Sequence, residues 1–120
     1  MENIKKIAED FLDDAIDAAK FDERKFSGWG EFVEDAFSEA AANNVLPGYD
    51  NDDVAANVLF DNRLFVGKFV DDVVRSCGSL PVNPFLNPTG FLVYMVTRVA
   101  EDMEAKYVDM FAEIRIEGVE

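Results

Sequence analysis

Between Asn87 and Ile114, apolar residues return every three or four positions: Leu92, Val96, Val99, Met103, Tyr107, Met110 and Ile114. That spacing keeps them on one face of a helix, and Phe91, Met95, Ala100 and Phe111 widen the stripe. Asn87 suits the N-cap and Pro88 the first helical position, where a missing N–H costs nothing. Read as one helix, the segment makes a rod of roughly 40 Å. So much apolar surface demands other amphipathic helices beside it. Phe91–Thr97 is rich in β-branched and aromatic residues, so a strand is the alternative there. The unbroken continuation of the stripe through Met110 favours helix.

Candidate partners for that spine precede it. In Asn3–Lys20, Ile4, Ile7, Ala8, Phe11, Leu12, Ala15, Ile16 and Ala19 form an apolar face. Phe21–Phe26 reads as a connector. A second helix, Trp29–Asn43, carries Trp29, Phe32, Val33, Ala36, Phe37, Ala40 and Ala41 at the same spacing and closes at Pro47-Gly48. Asp50–Asp53 supply a cap and first-turn acids for a short helix through Leu59. Phe65, Val66, Phe69, Val70, Val73, Val74 and Cys77 predict a helix from Asn62 to Cys77, ended by Gly78. A short hairpin near Val58–Val66, turning at Asp61-Asn62, is the alternative. Cys77 falls on the apolar face and reads as a buried thiol. Ser79–Leu86, with Pro81 and Pro84, reads as a loop. The expected fold is all-α, mainly helical: a single compact domain with a long C-terminal helix.

Charge narrows the function. The 120 residues hold 25 Asp and Glu against 11 Lys and Arg, a net charge of −14. Such a field repels nucleic acid and membrane surfaces and attracts basic protein surfaces. Glu9, Asp10, Asp13, Asp14 and Asp17 lie on the polar side of the first helix with no base among them. Glu31, Glu34, Asp35 and Glu39 do the same on the second. Asp has poor helix propensity, and like charges one turn apart repel by a few tenths of a kcal/mol. A sequence tuned for stability alone would alternate Glu with Lys. The nine acids are therefore candidates for contact with a partner, the alternative being a plainly solvated face.

Catalytic chemistry has little to work with. The chain has no His, which removes the commonest general base and nearly all zinc sites. One Cys makes neither a disulfide nor a thiolate cluster. No Gly-rich phosphate loop and no nucleophile elbow occur, and Asp50–Asp53 lack the spacing of a calcium loop. The reading is a non-enzyme with no cofactor and no metal. No apolar run reaches membrane-spanning length and no signal peptide precedes the first helix, so a cytoplasmic protein is expected.

Asp35-Ala36, Ala40-Ala41, Asn43, Val45, Pro47 and Tyr49 resemble the second-helix region of Ocr, the antirestriction DNA mimics made by some phages. The order of parts is also similar: an acidic first helix, a helix-and-proline segment, shorter helices, then a Pro-Thr entry into the last helix. Three departures stand out: an extra residue, Leu46, before the proline, no strongly acidic tail in Glu113–Glu120, and more numerous basic residues, which make any mimicry less complete. The resemblance implies an inhibitor that occupies the basic DNA-binding cleft of a restriction-modification complex or another defence nuclease. It acts in the host cytoplasm if phage-encoded, and binds no nucleic acid and no membrane itself. It also implies a homodimer, for which Val58, Leu59, Phe60 and Leu64 are candidates. The alternative is an interaction module that uses apolar surface, such as Phe85 and Leu86, with charge serving solubility.

Overall fold

In the computed structural model, which describes residues 3–116, six helices follow one another and no sheet forms among the described residues. They are α1 (Ile4–Phe21), α2 (Trp29–Asn43), α3 (Asp52–Asp61), α4 (Arg63–Cys77), α5 (Pro88–Glu101) and α6 (Glu104–Phe111). The all-α expectation holds, and so do the first two helices.

The spine is α5, which packs against α1, α2 and α3. Asn87 caps it as the sequence suggests: its Oδ1 accepts the Gly90 N–H at 3.1 Å, with Pro88 in the first turn. Phe91, Leu92, Val93, Met95 and Val96 are all buried. A helix covered on nearly every side has no polar face to display, which is why Phe91–Thr97 looks strand-like in composition.

The long C-terminal helix is corrected. It breaks after Glu101, where the Asp102 and Met103 N–H groups donate to the Val99 and Ala100 carbonyls, both at 3.1 Å. These three-residue bonds tighten one turn and redirect the chain into α6. The Ala100 carbonyl also accepts the Trp29 indole N–H at 2.9 Å. A single tight turn shifts the apolar phase little, so the stripe runs on across the break. Ile114, the last residue of the stripe, is buried outside any helix. There the Phe26 N–H donates to the Ile114 carbonyl at 3.0 Å, and the Ile116 N–H to the Phe26 carbonyl at 2.9 Å.

The hairpin at Val58–Val66 does not form. Val58, Leu59 and Phe60 end α3, and Leu64, Phe65 and Val66 begin α4. Asn62 joins them: its side-chain amide and its N–H donate to the Val58 carbonyl at 2.8 and 3.1 Å, and its carbonyl accepts the Val66 N–H at 2.9 Å. Both ends of a bend are thereby satisfied without strand pairing. Helix α4 is the least buried of the six by this measure, with Val73 alone fully covered. Phe69 meets Phe91 and Tyr94 edge-on at 6.0 and 5.7 Å. Cys77 is exposed, not buried. It is the last residue of a helix whose final turn lies beyond the core, before Gly78 takes a left-handed φ of 85°.

Candidate partner-binding surface

The acidic sides of α1 and α2 face a common groove of about 610 Å³. Its floor includes Phe11, whose ring stacks at 4.2 Å and 18° on Phe37 in the core beneath. Asp10 and Asp14 line it from α1, and Asp35 and Glu39 from α2. Each pair is one helical turn apart, about 6 Å along its axis. Two short rails of carboxylate thus flank an aromatic floor. Beyond α2 the chain turns at Asn44, left-handed at φ 55°, and the Tyr49 N–H donates to the Leu46 carbonyl at 2.9 Å. That turn brings Pro47 and Tyr49 to the end of the groove.

The other five candidates lie elsewhere. Glu9 turns toward α6, where its carboxylate pairs with Lys106 and its backbone carbonyl accepts the Tyr107 hydroxyl at 3.3 Å. Asp13 stands near the same tyrosine. Burial first, then the charge of Asp13 and a hydrogen bond with it, push the Tyr107 phenol well above its usual pKa. Glu31 accepts the Ser27 N–H at 3.0 Å and so serves the start of α2. Asp17 and Glu34 are exposed outside the groove.

Two bases pair with acids of the groove, one from the connector that lines it and one a turn earlier on α1. Arg24, from the connector, bonds Asp35 at 2.8 Å and approaches Asp22 at 3.7 Å. Lys6 reaches Asp10 at 2.9 Å, and that carboxylate holds its ammonium above the usual pKa. Asp14, Asp17, Glu34 and Glu39 have no ion pair among the described residues. They are an uncompensated part of the acidic surface of α1 and α2. The Lys6–Asp10 pair follows from one-turn spacing on α1, whereas only packing of the connector shows that Arg24 takes Asp35 and leaves Glu39.

The chain matches no family model, no curated protein and no solved structure. The likeness to Ocr therefore rests on its residues, of which Asp35, Ala36, Pro47 and Tyr49 line the groove just described.

Elsewhere the surface differs in character. Lys5, Lys68, Arg98 and Lys106 line a second groove beside α4 and mix there with Glu9, Asp72 and Asp102. No group of three metal-ligating side chains is placed to hold an ion among the described residues. No helix there is long and apolar enough to cross a membrane. Of the four dimer candidates, Val58 and Leu59 are largely covered by the core, whereas Phe60 and Leu64 are exposed.

Proposed function

We propose that the chain is a DNA mimic: a non-catalytic, cofactor-free inhibitor that works in the host cytoplasm. Its carboxylates take the place of phosphates in the basic cleft of a DNA-binding defence protein, of which a restriction-modification enzyme is the type the Ocr resemblance suggests. The observation that carries this reading is the pair of carboxylate rails, Asp10 and Asp14 opposite Asp35 and Glu39, on one groove. Duplex DNA presents one charge per roughly 3.4 Å on each of two strands. Two helices bearing acids one turn apart offer a sparser version of the same two-rail charge. Asp14, Asp17, Glu34 and Glu39, which have no ion pair among the described residues, can meet incoming Arg and Lys without first breaking a salt bridge there.

A second reading, an interaction module that binds through apolar surface, is favoured by the exposure of Phe85 and Leu86. One experiment separates them. Binding to a restriction-modification complex is measured across a salt series, with and without competing duplex DNA. The variant Asp14→Asn, Asp17→Asn, Glu34→Gln, Glu39→Gln is measured alongside. The mimic reading expects DNA to displace the protein, affinity to fall steeply with salt, and the variant to bind more weakly with a shallower salt slope. Simultaneous occupancy by DNA and protein, or equal affinity of the variant, defeats it.

A further inference from the structure

The acid-railed groove does not stop where its carboxylates stop. Pro47 and Tyr49, at its far end, also line a second groove of about 590 Å³, together with Val54, Asn57, Val58 and Asp61 of α3. Asn57 in turn lines a third, of about 920 Å³, between α3, α4 and the loop before α5. The three form one track, and charge falls away along it. Asp10, Asp14, Asp35 and Glu39 face Arg24 in the first groove, Asp61 lines the second, and Arg63 balances Asp71 in the third. Apolar surface rises in step. Phe60 is 64% exposed and Phe85 91% exposed at the far end. A built turn holds Phe85 out: the Asn83 Oδ1 accepts the Phe85 and Leu86 N–H groups at 2.8 and 3.3 Å. An anchor presented in this way needs little ordering when it is covered.

We propose that the protein held by the acid rails also covers this apolar end, so that one partner occupies the whole track. This rests on the mimic reading and gives the partner a second property: it is a DNA-binding protein whose basic cleft borders an apolar projection. The rails are too small alone. Fourteen residues line their groove, against roughly 20–30 on each side of a stable interface. The two further grooves bring the face to that size. Charge sets the order of contact. A chain of net charge −14 draws cationic surfaces, and the rails draw them first. A partner seated there already stands beside Tyr49 and α3. The balanced third groove then meets whatever borders the partner's cleft, without apposing like charge. Duplex DNA offers its readers phosphate along both strands and no apolar end of this kind. The apolar end therefore separates one target from DNA-binding proteins at large, which the rails cannot do by charge alone.

The test uses the full chain and a restriction-modification complex, titrated across a salt series with and without competing duplex DNA. The double variant Phe60→Ser, Phe85→Ser and the double variant Asp14→Asn, Glu39→Gln are titrated alongside. The phenylalanine variant should keep its helical spectrum, bind about tenfold more weakly or worse, and keep the salt slope, since it loses no charge. The acid variant should bind more weakly with a shallower slope. Hydrogen exchange should show the amides of α3 and of residues 79–86 protected in the complex together with those of α1 and α2. Unchanged affinity of the phenylalanine variant overturns the proposal, and a weakened acid variant in the same series leaves the mimic reading standing. No binding by the unaltered chain, or binding beside DNA, defeats both. Protection of residues 79–86 in the free protein that grows with its own concentration marks a second copy as the occupant, and that too overturns the proposal.

Discussion

The indole of Trp29 sits 5.3 Å from Phe32, 5.6 Å from Tyr107 and 5.3 Å from Phe111, and its N–H donates to the Ala100 carbonyl. One side chain thus ties the start of α2 to the end of α5 and to α6. Trp29→Phe keeps an aromatic ring but loses that hydrogen bond, and should cost about 1–3 kcal/mol in a urea titration. Gly90 is constrained by its neighbour's cap. A Cβ there would stand 2.3 Å from the Asn87 amide nitrogen. Gly90→Ala must push the capping side chain aside, with an expected loss of about 1–2 kcal/mol, although alanine is the better helix former. Tyr107 gives a pH prediction. Unfolded, its phenol ionises near 10. Folded, it ionises well above that value, through burial first and the Asp13 carboxylate second. The contribution to stability is whole below the unfolded pKa and is lost as pH rises toward the folded one. Chemical denaturation from neutral to alkaline pH should show this loss, and Tyr107→Phe should diminish it.

Among the elements, α5 and α4 are opposites that the sequence makes look alike. Both carry an apolar stripe at helical spacing, yet α5 is buried along most of its length and α4 buries only Val73. Phe91→Ala on α5 should cost about 3–5 kcal/mol, the range for an aromatic removed from a core. Val74→Ala, on the partly exposed face of α4, should stay within about 0.5 kcal/mol. Native-state hydrogen exchange should find α4 amides opening well before those of α5. Periodicity gave the helices because local spacing and caps such as Asn3, Asn51 and Asn87 encode them. It could not see the break at Asp102, where neither Gly nor Pro marks the tight turn and Trp29, far away in sequence, takes the carbonyl. Nor could it separate Glu39 from Asp35, since the fold around Arg24 decides which of them is paired, whereas the Lys6–Asp10 pair is legible as one-turn spacing on α1. Cys77 misled for the same reason: it shares a stripe with Val73 but lies one turn too far along to reach the core.

The molecule measures 47 × 29 × 25 Å, with a radius of gyration of 15.0 Å against about 13.6 Å for a compact chain of this size. Elongation spreads its charge but does not remove it. The six ion pairs among the described residues are largely exposed and contribute about 0–1 kcal/mol each, too little to offset a net charge of −14. Moderate salt should therefore raise the melting temperature, and a melting curve insensitive to salt would contradict this account of the surface. The central place of α5 has a further effect, on synthesis. Helices α1 and α2 lean on α5 far more than on each other, and α5 is made late. Nascent chains that stop short of Glu101 lack the partner that covers Leu12, Ile16, Phe32 and Phe37. At about 5–20 residues per second, the first two helices wait several seconds on the ribosome with their apolar faces uncovered. Through that interval their unbalanced aspartates and glutamates keep neighbouring nascent chains apart, so the same acids that shape the finished surface also guard the unfinished one.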